Sequence, residues 1–479
     1  MLGGQDRSER VPGSFRDPSG YVFRRDDRIF RAVTAACHDL LRALADAETL
    51  SRFADRLVET RFVEDPALLS SLRAEHDGYS HFLAHEPIDP MTYPHEWSVS
   101  MLADAGLLTL DIQRALLAAG CSLKDASAYN VQFVQGRPRF IDVSSIESPE
   151  RVDLWSALGQ FGRMFLFPLL LCRYHGWDLR SYFVANLGGR SPEQILRGLG
   201  RFQRWRPRFL LDVTLPELLR RAAETRLPKG ALRANHANAR PQLFNLARLR
   251  RKIEKLAAGY RPSGVWHDYA STCHYTSTAD EGKKALVSSA LAKYKPARVV
   301  DLGCNTGDYS FLAAAHASHV IAVDADHDAI EQLYRRLRVH PANITPLAVD
   351  ICNPSPGIGY MNTERASFFD RIRGDCVLAL ALIHHLRVAA NLPLPAIRDL
   401  LYRLTTDLVV LEFVPRSDPM FERLIALRTD RVSDYDLNTC KKILLERFAL
   451  VNEEPIPGSP RTLLTLRKQP SSADHQRSE

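Results

Sequence analysis

The chain has 479 residues, is 45% hydrophobic and 25% charged, and carries a formal charge of +7, which excludes a disordered or fibrous protein and leaves room for two or more cores. Its first twenty residues are polar and hold no apolar stretch for a secretory signal. The longest apolar run, Met164 to Cys172, is interrupted by Pro168 and falls short of the ~20 residues that a spanning helix needs, so a cytoplasmic protein without a transmembrane segment is expected.

From the amino terminus, Gly20 to Val33 (GYVFRRDDRIFRAV) predicts a β-hairpin. Tyr93, Glu96 and Trp97 stand in an aromatic-rich stretch that could form an acceptor site or pack a core. Next, LKDASAYNVQFVQGRPRFIDVSS places Asp125, then Asn130 five residues on, then Asp142 in an apolar FIDV. This pattern resembles the catalytic loop and metal-binding acid of protein-kinase-like and aminoglycoside-phosphotransferase-like folds. The resemblance implies a base at Asp125, an amide ligand at Asn130 and a magnesium carboxylate at Asp142. The chain departs from that pattern, because its first lysine is Lys124, Leu123 stands where kinases place histidine, and no glycine-rich phosphate loop precedes it. Residues 18–225 are therefore expected to form a mixed α+β, kinase-like domain with binding or structural duty. Asn130 and Asp142 would be metal ligands only if that domain is active.

Residues 226–265 read as a basic helical connector. Between Arg197 and Arg261 there are 17 lysines and arginines against 4 acids, a belt suited to an anionic partner or simply a solvated helical face. Eight cysteines are scattered without a CxxC pair or histidines at zinc spacing, so no metal site is expected.

Residues 266–470 alternate strand and helix. The segment Trp266 to Lys284 combines aromatics with a helix start and could form a lid with Tyr275 as a contact. Strands are predicted at 297–302, 319–323, 344–349, 376–381 and 408–413. A helix over 328–337 places Ile330, Leu333, Tyr334 and Leu337 on one face, with Asp328 and Glu331 as a capping box. Another carries Ile397, Leu400, Leu401 and Leu404. The chain then ends in FALVNEE and TLLTLRK, two strands around a Pro/Gly turn. The alternation predicts an α/β, doubly wound and mostly parallel sheet, Rossmann-like, with a terminal antiparallel hairpin and ligands at the strands' carboxyl ends.

The first of these strands leads into DLGCNTG. Two glycines, Gly303 and Gly307, allow the backbone to approach a ligand beside a helix start, and Asn305 tolerates left-handed geometry. The G-x-G-x-x-G dinucleotide fingerprint fails at Asn305 and Asp308. Acids recur at successive strand ends: Asp301, then Asp324, which could accept both ribose hydroxyls, then Asp350, which could meet an adenine amino group.

This ordered set resembles class I S-adenosylmethionine-dependent methyltransferases, with DLGCNTG, VIAVDAD and LAVDI similar to their first three motifs. The resemblance implies S-adenosyl-L-methionine as cofactor. It would be held by Asp301, Gly303, Cys304, Gly307, Asp324 and Asp350, with Tyr275 over it. His384 and His385 in ALALIHHL, and Glu412 in VVLEFVP, are the candidate catalytic groups, since either histidine could take a proton from an acceptor. No N/D-P-P-Y or Pro-Cys follows the fourth strand, so no DNA base is expected as target. The combination with YPHEWSVSMLADAGLLTLDIQ and LKDASAYNVQF resembles the NoeA-like family of nodulation proteins. That resemblance implies a host-specific role and a small-molecule or glycan acceptor. Two other readings stay open: a phosphotransferase through the amino-terminal domain, and an adaptor with two degenerate domains that docks a partner on its basic belt.

Overall fold

Short apolar runs, Tyr21 to Phe23 and Ile29 to Phe30, stand on either side of the arginines that flank Asp26 and Asp27, and Asp26, at φ +54°, turns the chain back on itself. The computed structural model, which describes residues 8–226, 238–262, 277–426 and 432–470, places the predicted hairpin there. Strands β1 (Glu9–Arg10), β2 (Gly20–Arg25), β3 (Arg28–Val33), β4 (Thr60–Phe62) and β5 (His81–His85) form an antiparallel sheet in the order β1-β2-β3-β5-β4. Behind them in the chain, β6 (Ser122–Leu123) pairs with β9 (Ile146–Glu147), and β7 (Val131–Val134) pairs with β8 (Arg137–Phe140).

Two units result, Met1–Arg261 with Pro356–Ala366, and Pro262–Ser355 with Ser367–Glu479. The helix Val99–Ala118 is apolar on most of its circumference and is buried accordingly in the first unit. The helix Arg240–Gly259, expected as a connector, belongs to the first unit as well. It turns Leu246, Leu249, Ile253 and Leu256 inward, and its Arg250 pairs with Asp111 of Val99–Ala118.

In the second unit, β10 (Arg298–Leu302), β11 (His319–Asp324), β12 (Ile344–Ala348), β13 (Gly374–Ala379), β14 (Thr405–Phe413), β15 (Phe448–Pro455) and β16 (Thr462–Lys468) lie in the order β12-β11-β10-β13-β14-β16-β15. The first five are parallel, and β16 runs antiparallel between β14 and β15. The expected doubly wound sheet with its closing hairpin is therefore present. Val299 and Val320 pack into one apolar cluster while their neighbours Val300 and Ile321 pack into another, as a sheet covered on both faces requires. From β10 the chain first builds outward to β12 and then returns to β13 on the other side. The reversal leaves a crevice beyond the carboxyl ends of β10 and β13, where open sheets of this kind bind ligands.

One element departs from that plan. Between β12 and β13 the segment Pro356–Ala366 belongs to the first unit. There Glu364 takes both Nε and Nη2 of Arg16 at 3.1 and 3.0 Å, the Ala366 N–H donates to Tyr93 Oη at 3.1 Å, and the Arg365 guanidinium stacks on the Tyr129 ring.

Candidate functional site

The loop after β10 leaves the sheet through Gly303 (φ +70°), Asn305 (φ +50°) and Gly307 (φ +89°), three left-handed residues in five positions. Its start is tied to β11, because the N–H groups of Gly303 and Cys304 both donate to the carbonyl of Val323, at 2.8 and 3.1 Å. The two glycines serve different ends. Gly303 lines a cavity, and a Cβ there would press on Leu382. Gly307 faces away from it, and a Cβ would stand 2.4 Å from Leu333, so this glycine lets the helix His327–Val339 approach the loop.

That cavity, about 1030 Å³, lies in the crevice and is large enough for a nucleotide-sized ligand and a second small molecule. Asp301, Asp324 and Asp350 all line it. Asp301 is fully buried and accepts a hydrogen bond from Ser310 Oγ at 2.6 Å; burial pushes its pKa up from 3.8 to about 6. Asp324 accepts the Asn305 N–H on one oxygen at 2.7 Å and the Asp326 N–H on the other at 2.8 Å, and burial raises its pKa too. The Ala325 N–H is a third backbone partner, and a carboxylate offers about four acceptor positions, so Asp324 retains capacity for a ligand. Asp350 stands exposed at the rim, braced by the Cys352 N–H at 2.8 Å.

Cys304 and His385 also line the cavity, whereas His384 and Glu412 do not. The His385 pKa is lowered, chiefly by burial and further by Arg461, which keeps the ring neutral near pH 7. His384 is buried behind it with its Nδ1 lacking a hydrogen bond. Glu412 is fully buried and pairs with Lys283 Nζ at 2.7 Å and Arg461 Nη1 at 3.0 Å, and Arg461 also holds Asp418 at 2.7 Å. Lys283 in turn lines the cavity above the Tyr309 ring, 4.3 Å from its centroid. The expected acid at the end of β14 thus positions a lysine at the cavity. Lys283, Tyr309 and Asp280 were not among the expected site residues, since they sit on helices without a motif. Tyr275 lies outside the described residues.

No known protein-family profile matches the chain. It is 34% identical over 478 residues to nodulation protein NoeA of Rhizobium meliloti (strain 1021), and the match covers 98% of both chains. The chain belongs to the NoeA family. Among solved structures it is similar to the N-methyltransferase NodS from Bradyrhizobium japonicum WM9 (14% identity, 40% of this chain and 98% of that one, TM-score 0.31). It is also similar to magnesium protoporphyrin IX methyltransferase from Synechocystis PCC 6803 with bound SAH (15% identity, 48% and 97%, TM-score 0.30).

The kinase-like resemblance of the amino-terminal region finds no support among these relatives. Asp125, Asn130 and Asp142 of this NoeA-family chain do come together, but as parts of an internal network. Asp125 accepts from the Ser127 N–H at 2.9 Å and Gln160 Nε2 at 2.7 Å, with Asn130 beside it. Asp142 takes Arg31 Nη1 at 2.7 Å, and Ser144 lies between Asp142 and Asp17. Tyr93, Glu96 and Trp97 are core residues of the first unit. The Glu96 carboxylate accepts the Tyr93 N–H, and Trp97 donates to Thr92 Oγ1.

Proposed function

We propose that the chain is an S-adenosylmethionine-dependent methyltransferase acting on a small-molecule or glycan acceptor. One observation carries this reading: the cavity at the switch of the parallel sheet has a buried acid at the end of β10, a partly buried one at the end of β11 and a rim acid after β12, around a turn without a Cβ at Gly303. The residues fit the cofactor. Asp324, with acceptor capacity left beside its backbone partners, would accept from the ribose hydroxyls, and Asp350 at the rim would meet the adenine amino group. Asp301 and Gly303 would meet the amino end of the amino-acid part, Lys283 its carboxylate, and Cys304 would pack against it. When bound, the cofactor supplies a methyl group already activated on a sulfonium. What remains for the protein is orientation and a dry pocket. Leu382, Leu386, Ala389 and Ala390 line the cavity beside His385 with apolar surface. His385, neutral at working pH, takes the proton from the acceptor's hydroxyl or ammonium group, while Glu412 acts one step removed by fixing Lys283.

Calorimetric titration with S-adenosylmethionine tests the reading. The Asp324→Asn protein keeps the side chain's size but loses its charge and one of its two acceptors, and should bind at least tenfold more weakly, about 1.5 kcal/mol or more. Undiminished binding would refute the site. Family membership supports a further part in host-specific nodulation. It is checked by nodule counts on host plants inoculated with a deletion strain, and unchanged counts on every host would reject it. Phosphotransfer by the first unit is not proposed, because Arg31 already occupies the Asp142 carboxylate.

A further inference from the structure

In the first unit, residues 200–222 pass through a short turn at Gln203–Trp205 into a helical stretch from Pro207 onward, ending in the helix Leu215–Arg226, whose inward side is fully used. Phe209 and Val213 are buried, Asp212 is buried against Arg248 (2.5 Å) and Lys252, and Glu217 is buried against Arg220 and Arg221. Thr214 Oγ1 closes the arrangement on the Arg204 carbonyl at 2.6 Å. These contacts fix which side faces out. On it, Leu211, Leu215, Leu218 and Leu219 recur at i, i+4, i+7 and i+8 and are 41–61% exposed, while Phe202 is 89% and Trp205 56% exposed. Phe244, on the helix whose Arg248 is held by Asp212, is 69% exposed. Isolated exposed apolar side chains need no explanation, but two aromatics and a leucine stripe within eighteen residues do.

The same stretch carries the basic belt. Arg201, Arg206, Arg220, Arg221, Arg240 and Arg251 are exposed, within a segment holding 17 lysines and arginines against 4 acids. Such a charge disfavours a second copy of this face. A nucleic acid would satisfy the arginines but has no use for a leucine stripe, since aliphatic chains do not stack on bases. An anionic bilayer satisfies both: headgroups meet the arginines while tryptophan, phenylalanine and leucine enter the boundary of the acyl region.

We infer that this face docks the protein on an anionic phospholipid surface, as a peripheral contact separate from the proposed methyl transfer. Among the described residues no helix is long and apolar enough to cross a membrane, so the contact is made on the surface. Flotation of the full chain with phosphatidylglycerol vesicles and with phosphatidylcholine vesicles tests it. The chain should float with the first and not the second, and raising the salt concentration should release it. Phe202→Ser with Trp205→Ser, and separately Arg201→Glu with Arg206→Glu, change exposed side chains only and should unfold at the wild-type temperature. Each pair should lower vesicle affinity by ~10-fold or more. Equal binding to both vesicle types, or to neither, would overturn the inference. So would a concentration-dependent dimer abolished by the Trp205→Ser pair, or RNA binding lost in the arginine pair without any flotation.

Discussion

At the scale of single residues, the cavity carries a cost that pH exposes. Asp301 has its pKa raised by burial from 3.8 to about 6, so the folded chain retains a proton that the unfolded chain releases. The stability tied to this group is present below pH 3.8 and is lost as pH rises through about 6, amounting to about 3 kcal/mol. An amide at this position keeps the Ser310 contact and carries no charge. Asp301→Asn should therefore resist urea better than the wild type at about pH 8 and equally at about pH 4, while binding S-adenosylmethionine more weakly, a trade common where a site is built for function. Coincident urea curves at the higher pH would disprove the argument. His385 makes the opposite statement. Because its pKa is lowered from 6.5, the proposed base stays neutral below that pH, and the rate of methyl transfer should hold a plateau that extends below 6.5 before it falls. His385→Ala should lose about 10²-fold or more in kcat along with that acid limb, and a wild-type rate in this variant would remove His385 from the chemistry.

At the scale of elements, the second unit was largely legible because its strands are short apolar runs closed by glycine or aspartate, and its helices repeat at i, i+3, i+4 and i+7. The parallel sheet, its closing hairpin and the three acids followed from that alternation, whereas the strand order did not. The ends were less legible. The expected capping box at Asp328 and Glu331 is replaced by Asp326, which accepts the N–H groups of Asp328 and Ala329 at 2.8 and 3.3 Å, and Glu331 instead pairs with Arg335. The run DHD, Asp326 to Asp328, offered two acids, and only the geometry of the turn chooses the first. Asp326→Ala should cost about 1 kcal/mol in urea unfolding, and no loss would return the cap to another residue. The Lys283, Glu412 and Arg461 cluster left no trace in the sequence, since each comes from a different element and nothing in local spacing links them. The inward face of Arg240–Gly259 was legible as a pattern, but its arginines drew attention to solvent and away from Leu246, Leu249 and Ile253.

At the scale of the molecule, the chain passes between its two units more than once, because Pro356–Ala366 leaves the second unit after β12 and is held by the first. This segment has no apolar period to announce it, and its partners Arg16, Tyr93 and Tyr129 are remote in sequence. It begins six residues beyond Asp350, so the strand end that carries a rim acid is covalently continuous with a loop whose conformation depends on the first unit. Cut away from that unit, the segment loses the Arg16 pair and the Tyr93 and Tyr129 contacts, while the sheet keeps both apolar clusters. Residues 262–479 expressed alone should accordingly remain folded by circular dichroism, yet be nicked by protease within 356–366, where the full chain resists. Replacing 356–366 with a short glycine-serine loop should remove that cleavage and leave the fold in place. Cleavage at the same rate in the full chain would mean that the first unit does not hold the segment, and the coupling argued from Asp350 onward would fall with it.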